Sequence, residues 1–303
     1  FNTAGSVRFF AAQSIDAAPT VQFIAARSVS IVGVTFQYVA VSVAGDTEQA
    51  LLKSNVEFCH FIDCGLTLGQ SGAATSGYRV AGNTFKSGLS RSFAAILLTN
   101  TSHVSITENT AQEFASFVHA LPTLSFGTHQ INIANNTASN CARHIILDGR
   151  SLFQISGVTV RGNTLSGSHR DSAVGSSYGI GALFVTGLII ENNAKITHKS
   201  DCIKMQACRG AVVTGNSISA LANFPPLRTI GCAGVQMTDN ILTSRAAVGY
   251  ILLVLGPQTN SIVDGSYYTS SDIDFSRNVI YCTTRGFKIE DTARVRVEGN
   301  AFI

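Results

Sequence analysis

The chain has 303 residues; its 45% hydrophobic content is enough to bury a core, and Gly (27), Ser, Thr and Asn separate short apolar runs as in strands and turns. The net charge is only +3 and the 21 basic residues are scattered, which argues against a nucleic-acid partner and is compatible with an anionic polymer. The longest apolar run, near residue 250, is shorter than the roughly 20 residues of a membrane-spanning helix, so no membrane span is predicted.

A phrase of the form apolar-x-apolar-x-x-Asn-x-apolar recurs along the chain, from “YRVAGNTF” at residues 78–85 to “VRVEGNAF” at 295–302. Its period lies mostly in the twenties, and one interval, between the seventh and eighth asparagine, is clearly longer than the others. Two degenerate copies come earlier, with Val34 and His60 at the asparagine position, so the sequence predicts about eleven units. The asparagines of the repeat are Asn83, Asn109, Asn136, Asn163, Asn193, Asn216, Asn240, Asn278 and Asn300.

The repeat predicts an all-β solenoid, because each unit alternates apolar and polar residues and a single coil cannot bury its apolar side until neighbours stack on it. Leucine-rich and helical repeats have similar periods, but the leucine consensus and the 3.6-residue pattern are both missing. The remaining solution is a parallel β-helix of about eleven coils of 22–30 residues, stacked about 4.8 Å apart. We expect each Asn to take the left-handed conformation at a corner and to bond its neighbours as a ladder.

The seven cysteines show no metal-binding pattern. None is part of a C-x-x-C pair, and the spacings Cys59/Cys64 and Cys202/Cys208 differ from those of the common zinc ribbons. We therefore expect buried thiols that pack as small hydrophobic side chains. No cluster of acids is dense enough for calcium, and the sequence predicts neither a metal site nor a cofactor.

In this coil repeat the whole chain resembles the pectate-lyase-type right-handed parallel β-helix superfamily, and most of all the tailspike depolymerases of bacteriophages. The superfamily also includes pectin and alginate lyases and polygalacturonases. The resemblance implies a right-handed β-helix that degrades a bacterial surface or capsular polysaccharide, outside the cell or on the virion surface of a phage tail. It also implies a homotrimer, since the tailspikes are homotrimers. The alternative is a non-catalytic carbohydrate-binding or structural β-helix, such as an adhesin or tail shaft, because this fold hosts many functions.

Residues 1–303 are predicted to form a single β-helix domain. The first residues, “FNTAGSVRFF”, contain no amphipathic capping helix, and the last, “VEGNAFI”, stop within a unit. The ends of a solenoid need a cap, a further domain or a partner chain. We therefore expect the sequence to be a piece of a longer protein.

Polar residues at the entrance of the second strand of successive units indicate where chemistry takes place. In the alignment Arg143, Tyr178, Asp201 and Arg228 each stand two residues before an inward isoleucine. They are predicted to lie in file, about 5 Å apart. Lys204 leaves the outer face of the same strand in the middle of this file, and the basic members are expected to bind substrate.

Two further segments add candidates beside this file. The unit that begins at Asn163 is longer than its neighbours and carries an insertion, “SGSHRDSAVGSSYG”, with His169, Arg170 and Asp171. Insertions in solenoids bulge outward and wall a groove. Asp148, three residues past an inward isoleucine of the preceding unit, can approach the same groove.

One reaction that fits the candidates is glycoside hydrolysis, which needs two carboxyl groups. Asp148, Asp171 and Asp201 are the available acids. The segment “KSDCIKM” resembles the “DDCI” strand entrance of polygalacturonases, but only Asp201 matches, because Ser200 stands where the first acid is expected.

The other reaction is the cleavage of a uronic-acid polymer by elimination. A lyase needs a cation that neutralises the uronate carboxylate and a base that takes the proton beside it. Arg143, Arg170 or Lys204 would supply the cation, and Tyr178 or His169 the base. The sequence does not choose between hydrolysis and elimination.

Overall fold

The computed structural model describes residues 8–10, 20–25, 28–45, 53–70, 74–88, 93–124, 128–167, 178–244, 250–256, 269–282 and 285–303. Within these ranges the regular structure is all β-strand, so they contain no helix that could cross a membrane.

The strands are numbered along the chain. The first twelve are β1 (Arg8–Phe10), β2 (Thr20–Ala25), β3 (Ser28–Val32), β4 (Thr35–Gln37), β5 (Ala40–Gly45), β6 (Lys53–Glu57), β7 (His60–Ile62), β8 (Leu66–Gly69), β9 (Thr75–Ala81), β10 (Thr84–Lys86), β11 (Ala94–Thr99) and β12 (Thr101–Thr107). The next twelve are β13 (Thr110–Gln112), β14 (Ser116–Ala120), β15 (Thr128–Ala134), β16 (Thr137–Ser139), β17 (Arg143–Asp148), β18 (Ile155–Arg161), β19 (Thr164–Ser166), β20 (Tyr178–Leu183), β21 (Val185–Glu191), β22 (Lys195–His198), β23 (Asp201–Gln206) and β24 (Val212–Thr214). The last ten are β25 (Ser217–Ala220), β26 (Leu227–Ile230), β27 (Ala233–Thr238), β28 (Ile241–Ser244), β29 (Tyr250–Leu255), β30 (Ser270–Ser276), β31 (Val279–Cys282), β32 (Arg285–Glu290), β33 (Thr292–Glu298) and β34 (Ala301–Phe302).

Every third strand belongs to the same sheet. Sheet I runs from β1 to β34 with twelve strands, sheet II from β2 to β32 with eleven, and sheet III from β3 to β33 with eleven. Each strand pairs in parallel with the strand three places along the chain, so each coil gives one strand to each sheet. The predicted right-handed parallel β-helix is confirmed, and the coil number differs slightly from the eleven predicted, since sheet I has one strand more.

The core is the inside of the coils, where alternate residues of each strand are buried. Residues at equivalent positions stack on one another because the coils are in register. Phe36, Phe61 and Phe85 pair across β4, β7 and β10, and their ring centroids are 5.2 Å and 4.5 Å apart. Offset stacks of this kind add to the stabilisation that burial gives.

The nine asparagines form the predicted ladder at one corner. The Asn136 side-chain amide and backbone N–H both donate to Asn163 Oδ1, at 3.0 Å and 2.9 Å, and this side-chain link continues from Asn83 to Asn300. Asn136 Nδ2 also donates to the carbonyl of Ile106 at 2.9 Å. The ladder therefore satisfies buried polar groups in nine consecutive coils.

The predicted conformation of these asparagines is wrong, because the left-handed residue is the one before the ladder position. Glu108, Asn135 and Asn192 have φ of 58°, 56° and 50°, and Gly162 and Gly215 have φ of 63° and 65°. The ladder asparagine follows this turn, and its amide bonds back across it to a carbonyl, as in the 3.0 Å bond from Asn136 to Ala134. The tight bend and the ladder are thus made by two neighbouring residues.

One early unit is also offset by a residue from its predicted alignment. Thr84 pairs with His60, so the counterpart of Asn83 is Cys59 and not His60. Cys59 N–H donates to Asn83 Oδ1 at 2.8 Å and so ends the ladder. The expectation of buried thiols is confirmed for every cysteine except Cys282, which is partly exposed.

Candidate active site on the outer face of sheet II

The candidate residues lie on sheet II, on the strands β14, β17, β20, β23 and β26. Val118, Ile145, Ile180, Ile203 and Leu227 pair in that order and point into the core. The residue after each of them faces outward, since successive side chains of a strand point to opposite sides.

The structure brings together three of the four members of the predicted file. Ile145 pairs with Ile180, which places Arg143 beside Tyr178. Tyr178 in turn pairs with Asp201. These three strand entrances therefore stack in adjacent coils, as the alignment predicted.

The predicted position of Arg228 is wrong. The alignment matched Ile230 with Ile203, whereas in the structure Leu227 pairs with Ile203 and Arg228 pairs with Lys204. Strand β26 thus begins earlier than the alignment assumed. Arg228 consequently faces outward beside Lys204 instead of following Asp201 in file.

Tyr178 lies across the outer surface of its own strand. A Cβ added at Gly181 would be 1.9 Å from a carbon of the Tyr178 ring, so the ring occupies the space that a side chain at position 181 would need. The Arg143 guanidinium carbon is 5.5 Å from the ring centroid, within cation–π distance. Burial raises the pKa of Tyr178, although the charge of Arg143 opposes the shift. The phenol is therefore protonated at neutral pH and suits a proton donor better than the predicted base.

A shallow cleft of about 70 Å³ opens beside this ring. Its polar groups come from Asp148, Tyr178, Lys204 and Gln206, and its floor is formed by Leu147, Gly181, Ala182 and Leu183. Burial lowers the pKa of Lys204, and the carboxylate of Asp201 opposes this shift. Three of the predicted candidates, Asp148, Tyr178 and Lys204, thus meet at one opening.

Asp201 does not line this cleft. It is 4% exposed, and Arg228 Nη2 lies 3.2 Å from its Oδ1 in an ion pair that lacks the angle of a hydrogen bond. Burial raises the pKa of Asp201 to about 6, against the charges of Arg228 and Lys204. Asp201 therefore pairs with Arg228 beneath the surface.

Asp148 and Asp201 are too far apart to act on one glycosidic bond. Asp148 pairs with Leu183, and Leu183 with Gln206, which is five residues along β23 from Asp201. Five residues of strand and two coil spacings put the two Cα atoms roughly 19 Å apart. Hydrolysis needs carboxyl groups about 5 to 9.5 Å apart, so this pair is excluded.

His119 is a polar neighbour that sequence reasoning missed. Its Nε2 lies 3.9 Å from Asp148 Oδ2 and is buried without a hydrogen-bond partner among the described residues. His119 follows the inward Val118 and pairs with Ile146, so it faces outward. The inward Val118 before it is the sequence signal that marks this orientation.

The outward residues form a line parallel to the rod axis, which we call the polar track. Through the registered positions 119, 146, 181, 204 and 228 it consists of His119, the Tyr178 ring over Gly181, Lys204 and Arg228. Four coil spacings make it roughly 19 Å long. Its charges are cationic, with Asp148 beside it.

The predicted His169, Arg170 and Asp171 lie outside the described residues. Among the described residues, His198 bridges two corners of the coils, and its Nε2–H donates to the Ala142 carbonyl at 2.9 Å. Its Nδ1 accepts from Ser200 N–H at 3.0 Å. The bridge connects residues 56 apart, about two coils, and so ties the β16–β17 corner to the β22–β23 corner.

Comparison with known proteins gives a family and a fold. A family model described as “Periplasmic copper-binding protein (NosD)” matches residues 74–250, more than half of the chain. Among solved structures, PfbA, a surface adhesin of Streptococcus pneumoniae, has a TM-score of 0.62 and 10% identity, over 94% of this chain and 81% of PfbA. The periplasmic alginate epimerase AlgG has a TM-score of 0.53 and 11% identity, over 92% of this chain and 73% of AlgG. No curated protein sequence matches the chain.

The family is described as copper-binding, but the residues that the structure describes do not form a copper site. Copper needs several imidazole, thiolate or thioether groups around one point. No three His, Cys, Asp or Glu side chains of the described ranges converge in this way. His198 already uses both ring nitrogens, and burial raises the pKa of the Cys208 thiol, which disfavours the thiolate that metals bind. The described residues therefore offer copper no set of ligands.

Proposed function

This chain belongs to the NosD family, and we propose that it is a β-helix enzyme that acts on an anionic polysaccharide outside the cytoplasm. The NosD family and AlgG are both described as periplasmic, and PfbA is described as a surface adhesin. These descriptions support a location outside the cytoplasm. AlgG is an alginate epimerase, which supports a polysaccharide substrate. An extended polymer also suits the polar track, because the track follows the rod axis.

The observation that carries the proposal is the cleft beside Tyr178. A protonated phenol, the Lys204 ammonium group and the Asp148 carboxylate face one opening. The Lys204 ammonium group so placed would attract and neutralise the carboxylate of a uronic acid. Neutralisation acidifies the C–H bond next to that carboxylate, which is the requirement for elimination.

In the proposed reaction, Lys204 binds the uronate carboxylate. The Asp148–His119 pair takes the proton from the carbon beside the carboxylate, and the electrons of that C–H bond form a C=C bond. The bond from the sugar to its glycosidic oxygen breaks, and Tyr178 donates its proton to the departing oxygen. Arg143, stacked on the ring, stabilises the phenolate that remains.

Elimination is favoured over hydrolysis by the acids that the structure describes. Asp148 and Asp201 are excluded as a pair by their separation, and Asp201 is buried beneath Arg228. A hydrolase mechanism would need Asp171, which lies outside the described residues. The proposal of elimination therefore rests on residues whose geometry is known.

The test uses Tyr178→Phe, which keeps the ring over Gly181 and removes the proton. Turnover of a uronic-acid polymer should fall by roughly 100-fold or more while polymer binding is retained. Tyr281→Phe is the matched control, because Tyr281 is exposed on sheet I, away from the track. Appearance of the unsaturated uronate is followed by its ultraviolet absorbance. Unchanged turnover in Tyr178→Phe would refute this role.

A second candidate function is carbohydrate binding without cleavage, supported by the fold shared with the adhesin PfbA. In that case the wild type would retain a polysaccharide on an affinity gel or in calorimetry and release no product. Lys204→Met would then weaken binding, whereas Tyr178→Phe would change neither binding nor product.

The resemblance to phage tailspikes adds a finer proposal, that the chain works as a homotrimer of side-by-side rods on a virion. It is supported by the coil repeat alone. Sedimentation equilibrium tests the assembly: a trimer supports it, and a stable monomer at micromolar concentration contradicts it.

A further inference from the structure

Two cysteines occupy equivalent positions in adjacent coils, just beyond the strands that carry Lys204 and Arg228. Gln206 pairs with Ile230 at the ends of β23 and β26, and a bridge joins Arg209 to Ala233. The register is thus fixed on both sides of Cys208 and Cys232.

These two residues contact each other. Cys208 N–H donates to Cys232 Sγ at 3.4 Å. Both residues are completely buried. The thiols themselves donate to main-chain carbonyls, Cys208 Sγ to Ala182 and Gln206 at 3.4 Å each and Cys232 Sγ to Ile230 at 3.5 Å.

The backbone spacing suits a covalent link. Adjacent coils lie about 4.8 Å apart, and disulfides span Cα distances of about 4.4–6.8 Å. Stacked Cβ atoms start near the same spacing and must approach by a few tenths of an ångström to reach the usual range of about 3.5–4.5 Å. The turns before the two cysteines, at Ala207 and Gly231, are left-handed in both coils (φ 52° and 59°), so the two side chains leave matching backbones.

We propose that Cys208 and Cys232 form a disulfide that links these coils when the chain folds in an oxidising compartment. The compartment is part of the proposed function, whereas the pairing rests on the register and the contact alone. One thiolate attacks an external disulfide, such as oxidised glutathione, and releases one glutathione thiol. The second thiolate attacks the resulting mixed disulfide and releases the other, so two thiols are oxidised and two are formed.

The reaction must precede the closure of the two coils. Once folded, both thiols are completely buried and are shielded from oxidants. The link then holds β23 against β26 and thereby fixes the relative position of Lys204 and Arg228.

The pairing can be read directly in the wild type. Trypsin cuts after Lys204, Arg209, Arg228 and Arg245, so Cys208 and Cys232 fall in separate peptides, 205–209 and 229–245, with one cysteine each. The full chain is refolded from urea with oxidised and reduced glutathione, blocked with iodoacetamide and mapped without reductant. A disulfide between these two peptides is expected. Two alkylated peptides, or either cysteine joined to another partner, would overturn the proposal.

Thermal unfolding supplies the second readout. The disulfide closes the chain segment from Cys208 to Cys232, about one coil, and should raise Tm by about 5 °C or more relative to the reduced chain. Cys208→Ser and Cys232→Ser should abolish this difference, whereas Cys141→Ser should keep it. A difference that survives in both Cys208→Ser and Cys232→Ser would contradict the assignment. No substrate is involved, so failure here leaves the test of the enzymatic proposal independent.

Discussion

Replacing Asn163 by Ala in the middle of the ladder should destabilise the fold far more than an ordinary surface change. Its Oδ1 accepts from the backbone N–H and the Nδ2 of Asn136, at 2.9 Å and 3.0 Å. Its Nδ2 donates to the carbonyls of Ile133 and Arg161, both at 2.9 Å. The substitution leaves the buried Asn136 N–H and Ile133 carbonyl without these partners, at about 1–3 kcal/mol each. We expect a total loss of about 3–5 kcal/mol.

The matched control is the same substitution at Asn300, the last member of the ladder. Asn300 Oδ1 also accepts from Asn278 N–H and Nδ2, at 2.9 Å each, but Asn300 is partly exposed. Water can replace the lost bonds there, so the expected loss is below about 1 kcal/mol. The assay is urea unfolding followed by far-ultraviolet circular dichroism, with the midpoint and slope reported separately. Equal losses at Asn163 and Asn300 would refute the view that buried, unsatisfied ladder groups dominate the cost.

Three further predictions concern the track and the corner beside it. Gly181→Ala should displace the Tyr178 ring, since the new Cβ would lie 1.9 Å from it, and should lower kcat at least 10-fold with little change in circular dichroism; unchanged kcat would contradict the ring's position. Asp201→Asn should raise KM more than it lowers kcat, because Arg228 loses the carboxylate that holds it; a pure kcat effect would instead show that Asp201 takes part in proton transfer. Burial lowers the pKa of His198 from 6.5 to about 4, so its contribution to stability is present above about pH 6.5 and is lost as the pH falls toward 4. His198→Gln keeps a donor for the Ala142 carbonyl. It should reduce by about 3 kcal/mol the loss in free energy of unfolding between pH 7 and pH 4, measured by urea unfolding. An unaltered pH dependence would contradict the assignment of this loss to His198.

The fold was readable from the sequence because the coil repeat forces equivalent residues into columns. The ladder followed from the spacing of asparagines such as Asn109 and Asn136, since only stacked coils bring residues 27 apart into contact. The left-handed turn was assigned to the wrong residue because Asn is common at both positions, and Asn135 takes the turn while Asn136 takes the ladder. The spacing of the asparagines locates each corner. Which of the two neighbouring residues takes the left-handed turn and which joins the ladder depends on the side-chain hydrogen bonds formed there.

The site was readable only in part, because its geometry depends on coil length and on side-chain direction. The file of Arg143, Tyr178 and Asp201 could be predicted from the strand entrances. The position of Arg228 could not, because β26 begins earlier than the aligned isoleucine indicates. Tyr178 lying along the outer face could be inferred only once Gly181 was seen to leave room for its ring. His119 reaches the site from a coil outside the predicted file, and nothing in its local sequence signals Asp148 as a neighbour.

The products of digestion show whether the polar track is a catalytic surface for an anionic polysaccharide. The full chain is incubated with a panel of uronic-acid polymers and neutral polysaccharides, and the products are analysed by ultraviolet absorbance and mass spectrometry. We expect shortened, unsaturated fragments from at least one uronic-acid polymer and none from the neutral polymers. New saturated reducing ends without unsaturation, or binding of every polymer without any product, would contradict this expectation.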